Sequence, residues 1–161
     1  PASTSNPFAD TNEPDYVGYD TARGGRPTFE GSLPLNKPPY AFLVALDLNT
    51  GDLAWRVPFG RGSERLRTHP GLEGVDLPDR LGTPGAPGAI VTNGGLVFAG
   101  GGEDALYAFD KRSGREVWSG ALTERSTATP MTYQTSAGRQ FVLIATGSGR
   151  NQELVAFAMP E

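Results

Sequence analysis

The sequence predicts an all-β fold, a partial β-propeller of about two and a half four-stranded antiparallel blades, and three observations carry that prediction. A motif recurs at one offset. Ala45-Leu46-Asp47, Asn49-Thr50-Gly51 and Trp55 are matched 63 residues later by Ala108-Phe109-Asp110, Arg112-Ser113-Gly114 and Trp118. Repeats of this size built from short strands and tight turns mark stacked blades. The chain of 161 residues holds 22 Gly and 14 Pro, which implies many turns, while its apolar content of 37% is too high for disorder. Finally, no long window keeps an apolar period of 3.6 residues, so helices are not expected.

The elements follow in order. Residues 1–38 form an arm rich in Pro, Gly, Asn and acidic groups, among them Asp10, Glu13, Asp15 and Asp20, and irregular extended backbone is expected there. Propeller blades then occupy 39–161. Residues 40–47 and 53–58 read as the third and outermost strands of one blade. Leu43-Val44-Ala45-Leu46, like Leu106-Tyr107-Ala108-Phe109, is apolar on both strand faces, as expected for a sheet between two others. Asp47 and Asp110 can accept hydrogen bonds from the turn that follows, and Gly51 and Gly114 supply its left-handed backbone. Trp55 and Trp118 then begin an outer strand, where an indole can wedge against the neighbouring blade and satisfy its N–H.

Residues 60–87 are a long connection with little strand pattern, and a loop of that length is expected to be functional or mobile. A full blade comes next: Ala89–Thr92, an Asn93-Gly94 hairpin turn, Leu96–Gly100, Ala105–Asp110 and Glu116–Gly120. The last blade reads Pro130–Tyr133, Gln140–Thr146 and Glu153–Met159, three strands of four. Propellers close by borrowing a strand from the other end of the chain, so this reads as the C-terminal end of a propeller, a processed or excised piece that opens on Pro1. The apolar faces of its end sheets predict contact with remaining blades, or self-association through those faces.

Other features narrow the function classes. A formal net charge of −4 argues against nucleic acid as a partner. Without Cys there is no disulfide framework and no thiolate metal site. No apolar run approaches membrane-spanning length.

The repeat Ala-x-Asp-x-x-Thr/Ser-Gly-x-x-x-Trp resembles the tryptophan-docking motif of quinoprotein dehydrogenases, eight-bladed propellers that bind pyrroloquinoline quinone (PQQ). Three further stretches are similar to the C-terminal part of the glucose-dehydrogenase-like branch: Leu33–Tyr40, Arg67–Leu72, and Ala128–Tyr133 with Gly138–Val142. The resemblance covers roughly residues 28–160. It implies an oxidoreductase that takes two electrons and a hydride equivalent from a sugar or alcohol hydroxyl. It also implies PQQ on the propeller axis beside a Ca²⁺ ion, an aspartate as general base, a quinone or cytochrome as electron acceptor, and a periplasmic location. The family's metal-binding and catalytic residues lie mostly in earlier blades. No catalytic or metal residue is therefore assigned here, the Ca²⁺ is expected on residues outside this chain, and the chain is not expected to be active alone.

Strand direction places the residues that would meet the cofactor. In an antiparallel blade, the connection into the first strand and the one between strands two and three share a face. Residues 82–88, 100–104, 126–130 and 147–152 then gather at one end, opposite Asn93-Gly94 and Ser113-Gly114. In the family, the connections into innermost strands line the PQQ cavity. Thr83, Pro84, Gly85, Ala86 and Pro87 take that place in one blade, and Thr127 and Ala128 in the next. Small residues there let backbone N–H groups approach a flat anionic ring. Ala86 stands where some relatives carry a stacking Trp.

For several residues two readings remain open. His69, beside Arg67 and before Pro70, is either a turn residue or a ligand. Arg61, Arg65 and Arg67 either meet an anionic substrate or PQQ carboxylates, or form a solvated cluster with Glu64. Lys37 either points into the cavity or into solvent. Gly100-Gly101-Gly102 reads as a strand connection, since no helix follows to make it a phosphate loop. Glu103, Asp104, Asp47 and Asp110 read as turn caps. The competing function class is a non-catalytic propeller of the same repeat family, acting as a scaffold or binding module without PQQ.

Overall fold

The computed structural model describes residues 28–29, 33–85 and 88–158. Most of the expected N-terminal arm thus lies outside the described residues. Within it, β1 (Thr28–Phe29) pairs antiparallel with β2 (Leu33–Pro34). The remaining strands build three antiparallel sheets. The first is β3 (Phe42–Leu46) with β4 (Leu53–Pro58). The second is a four-stranded meander of β5 (Gly88–Val91), β6 (Leu96–Gly100), β7 (Ala105–Asp110) and β8 (Glu116–Ala121). The third is β9 (Met131–Gln134), β10 (Gln140–Thr146) and β11 (Glu153–Ala158), with β10 central.

The repeat read from sequence is a repeat of register. Ala45 pairs with Trp55 and Ala108 with Trp118, and each pairing is followed by a β-bulge at the same place, before Leu46 and Phe109. Both turns close alike. Gly51 N–H donates to Asp47 C=O at 2.7 Å and Gly114 N–H to Asp110 C=O at 2.9 Å. The Asp side chains brace them: Asp47 accepts from the Asn49 amide at 2.9 Å and Asp110 from the Ser113 amide at 2.9 Å. The Ser113 hydroxyl and amide hold the Asp110 carboxyl below its ordinary range.

Period-2 alternation gives the middle sheet two apolar faces. Val97, Ala99, Tyr107 and Phe109 meet Leu43, Trp55, Val57 and Phe59 on the side of the first sheet. Leu106 and Phe98 meet Ile144, Val142, Val155 and Phe157 of the third. Phe59 is the keystone of the first interface, edge-on to Tyr107 at 5.8 Å.

The indoles differ. The Trp55 ring covers Gly114 of the next sheet, where a Cβ would lie 2.6 Å from its Cε3, and its N–H donates to Lys111 C=O at 2.8 Å. Trp118 meets Phe157 edge-on at 5.1 Å but stays 40% exposed. The two were expected to be equivalent. Leu154-Val155-Ala156-Phe157 matches Leu106-Tyr107-Ala108-Phe109 in sequence, and residues 159–161 after it lie outside the described residues.

The end sheets leave apolar faces open, as expected of a partial propeller: Val44, Leu46 and Leu53 of the first hairpin are exposed. Met131, Tyr133 and Leu154 are likewise exposed on the far face of the third sheet. The hairpin between β5 and β6 is a three-residue loop, with Gly95 rather than Gly94 at positive φ (86°) and Thr92 N–H donating to Leu96 C=O at 2.8 Å. The long connection also contains a one-turn helix α1 (Glu64–Arg67) and a 3₁₀ turn at Pro70–Leu72, too short for any apolar period to reveal.

Candidate functional site

The connections expected at one end of the sheets do gather there. The chain returns from the long loop by pairing Leu81, Gly82 and Thr83 against Arg61, Gly60 and Phe59. Thr83 N–H donates to Phe59 C=O at 2.8 Å and Gly82 N–H to Gly60 C=O at 3.0 Å. Leu81 and Phe59, both buried, anchor this pairing. Tyr40 N–H adds a bond to Leu81 C=O at 2.7 Å. The rim Thr83–Gly85 is thereby laid against the connection between β6 and β7, so that a Cβ added to Gly85 would sit in ordinary contact, 3.6 Å, with Gly102 Cα. On the other side of that connection, Gly102 N–H donates to Ser126 C=O at 2.8 Å and Ser126 N–H to Glu103 C=O at 3.0 Å. The Ser126 hydroxyl continues to Ala145 C=O at 2.7 Å.

A cavity of about 1640 Å³ opens between the long loop and the end of the middle sheet. Thr83, Pro84, Glu103, Tyr107, Arg80 and Arg125 are among its lining residues. Its floor is one polar chain. The Glu103 carboxylate accepts from the Thr83 hydroxyl, from Gly62 N–H at 2.9 Å and from the Tyr107 hydroxyl at 2.5 Å. Arg80 sits over the Tyr107 ring, 4.9 Å from its centroid, and pairs with Glu116. Burial first, and then the Glu103 carboxylate as acceptor, push the Tyr107 phenol far above its ordinary range.

The residues singled out from sequence are placed unevenly. Thr83 is buried, with its N–H and hydroxyl both engaged. Pro84 and Gly85 are exposed beside it. Ala86 and Pro87 lie outside the described residues. Thr127 is exposed, whereas Ala128 packs into the apolar cluster of the second interface and its N–H donates to Ser126 Oγ at 3.2 Å. The structure therefore brings Thr83–Gly85 together with Gly102, and joins the Thr127–Ala128 segment to them through Ser126.

Other candidates resolve into structural roles. Arg67 is no open cation: its guanidinium donates to the carbonyls of Arg61 (2.7 Å), Pro78 (3.0 Å) and Asp79 (2.6 Å), pinning the long loop. His69 Nδ1 accepts from Gly71 N–H at 3.0 Å and caps the 3₁₀ turn. Lys37 is exposed and does not line the cavity. Glu103 corrects its reading as a turn cap, since its partners lie in three separate segments. Sequence reasoning missed this chain of Glu103, Tyr107, Arg80 and Glu116. One signal was available: a phenol in an otherwise apolar buried strand needs a polar partner.

Pro84, Gly85 and Thr127 are small or compact residues left exposed where these loops converge, which fits the edge of a flat group. The described residues contain no group of three or more His, Asp or Glu able to hold a metal ion.

Comparison with known proteins agrees with this architecture. The family model described as PQQ: glucose/ethanol/alcohol dehydrogenase, beta-propeller domain, matches residues 5–142. The chain is 37% identical over 136 residues to a probable quinate dehydrogenase (quinone) of Xanthomonas campestris pv. juglandis, covering 80% of this chain and 17% of that protein. It is 36% identical over 134 residues to the glycerol dehydrogenase large subunit of Gluconobacter thailandicus, covering 78% and 18% respectively. It is 31% identical over 136 residues to the quinoprotein glucose dehydrogenase of Escherichia coli (strain K12), covering 80% and 17%. The chain thus spans less than a fifth of the length of these relatives.

Proposed function

This chain belongs to the PQQ glucose/ethanol/alcohol dehydrogenase β-propeller family, and from that premise we propose that it supplies blades of a periplasmic dehydrogenase oxidising a sugar or alcohol hydroxyl. The observation that carries the reading is the convergence of two loops from different sheets on Gly102, which leaves Pro84, Gly85 and Thr127 exposed at the end of the sheets where a large cavity opens. The Trp55 indole docked on Gly114 supports it, as the joint expected of a tryptophan-docking propeller.

PQQ, when bound, supplies the two-electron acceptor for the hydroxyl carbon. This chain's own residues shape its edge. Pro84, Gly85 and Thr127, with Ala86 and Pro87, are assigned to that edge because the described ones among them are exposed at the convergence. Thr83 and Ala128 act behind them, Thr83 through its bonds to Glu103 and Gly62, and Ala128 as apolar backing. The apolar interfaces on either side of the middle sheet exclude water from the back of the site. We place the Ca²⁺ and the general base on residues outside this chain, and electrons pass on to a quinone or cytochrome.

The test is reconstitution of the full-length protein with PQQ and Ca²⁺, followed by dye reduction with a panel of sugars and alcohols. Hydroxyl-dependent dye reduction that requires PQQ is expected. Tight folding without PQQ uptake or dye reduction would instead favour a scaffold propeller.

A further inference from the structure

This inference rests on the cofactor reading above. Every residue assigned to the cofactor edge lies on one of two loops, the first running through Thr83–Gly85 and the second starting at Ser126. Those loops lead into different sheets, so something must fix their spacing. The connection between β6 and β7 touches both. Its main chain holds the second loop, through Gly102 N–H to Ser126 C=O (2.8 Å) and Ser126 N–H to Glu103 C=O (3.0 Å). Its side chain holds the first, through Glu103 to Thr83 and to Gly62 N–H at 2.9 Å.

Glu103 is also tied to the rigid part of the fold. Its second carboxylate oxygen accepts from Tyr107 at 2.5 Å, and Tyr107 is a buried residue of β7 wedged against Phe59. The turn it holds is paired main chain to main chain with Leu81–Thr83 and by Gly62 N–H to the Thr83 hydroxyl, and Glu103 adds the side-chain tie from that pair to the connection into β7. Gly60 and Gly62 stand at φ of 87° and 91° and bring no side chains of their own. Charge-assisted bonds from a half-buried carboxylate to three donors are strong for their number and are lost together when the carboxylate goes.

We propose that Glu103 is a positioning residue. Its carboxylate clips the Gly60–Gly62 turn and Thr83 to the strand that carries Tyr107, and so sets the Thr83–Gly85 edge at its working distance from the Thr127 loop.

The test uses Glu103→Ala, Glu103→Gln and Thr83→Val in the full-length protein, with two readouts. Amide hydrogen exchange at Gly62 reports the clip without any cofactor, and equilibrium dialysis against PQQ with Ca²⁺ reports the edge. Glu103→Ala is expected to speed Gly62 exchange and weaken PQQ binding, each by about tenfold or more. Glu103→Gln, which keeps the volume and one acceptor oxygen, should fall between Glu103→Ala and wild type and guards against a simple folding defect. Thr83→Val combined with Glu103→Ala should cost less than the sum of the two single variants, because both break the Thr83–Glu103 contact, although the double variant also takes the Thr83 hydroxyl from Gly62 N–H; Thr83→Ser alone should keep binding. Unchanged Gly62 exchange in Glu103→Ala overturns the inference, as does faster exchange with unaltered PQQ affinity. Failure of the wild-type protein to take up PQQ is a separate result: it overturns the cofactor reading and the role of Glu103 with it.

Discussion

Gly51 and Gly114 form a matched pair for measuring what the joint between sheets is worth. Both stand at the same turn position of the repeat, at φ of 79° and 69°. Nothing lies within 4 Å of a Cβ built on Gly51, whereas one on Gly114 meets Trp55 Cε3 at 2.6 Å and Cδ2 at 2.7 Å. Gly51→Ala therefore carries only the left-handed backbone penalty, about 1–2 kcal/mol. Gly114→Ala carries the same penalty and must also push the indole aside. That adds about 1–3 kcal/mol of overpacking, together with strain on the indole bond to Lys111 C=O, worth about 1 kcal/mol. The expected difference between the two variants is about 1–4 kcal/mol. Urea unfolding of each variant, read as a change in midpoint at constant slope, measures it. In a chain of this size each kcal/mol also moves Tm by about 2–4 °C. Replacing Trp55 by Leu should erase the difference, since the obstructing ring is gone. Equal costs for the two alanines would refute the claim that the docked indole holds the first and second sheets together.

Other outcomes follow from the same contacts. The Tyr107 phenol is raised above its unfolded value near 10, so the native state keeps that proton longer than the unfolded chain. Its contribution is complete below pH 10 and declines as pH climbs from there toward the folded value; unfolding measured from pH 9 to 11 should show a decline that Tyr107→Phe reduces, and an identical decline in the variant would refute the assignment. Arg67→Ala releases the carbonyls of Arg61, Pro78 and Asp79, so limited proteolysis between 61 and 80 should speed up by about tenfold. Arg67→Lys should not rescue it, because an ammonium lacks the planar fork of donors, and full rescue would mean that charge alone sets the loop. The Thr146 hydroxyl is buried without a hydrogen-bond partner among the described residues. Thr146→Val should therefore be neutral or stabilising by up to about 1 kcal/mol in urea unfolding, whereas a clear loss would show that the hydroxyl has a partner.

The blades were legible because their determinants are local and repeated. Asp, Gly and Trp at fixed spacing specify a strand end, a left-handed turn and an outer strand, and the register of both hairpins obeys that spacing down to the bulge. The gathering of the connections at one end follows from antiparallel order alone. Less legible were features whose partners are distant in sequence. Glu103 meets residues 20 and 41 positions away, and nothing in the neighbourhood of Gly101–Asp104 announces them. The pinning of the long loop by Arg67 depends on carbonyls, which carry no residue signature. Ala128 was read as a cofactor neighbour from its position in a loop, but its methyl group belongs to the apolar cluster with Ile144 and Phe157. The exposure of Val44 and Leu46 agrees with their place on an open end sheet, while an apolar run by itself leaves open what lies against it.

The joint at Trp55 asks very little of the sheet that receives it. The accepting atom is a main-chain carbonyl, and the surface beneath the ring is a residue with no side chain. Any module that ends its third strand in the same turn offers the same main-chain socket, and only the apolar contacts beside it have to be matched. A module copied in tandem would carry both the indole and its main-chain socket, leaving only the apolar contacts beside them, such as Phe59 against Tyr107, to be refitted. Loops at the opposite end are then left to diverge, so the plug and socket supply the means by which a propeller can acquire new chemistry while keeping its frame.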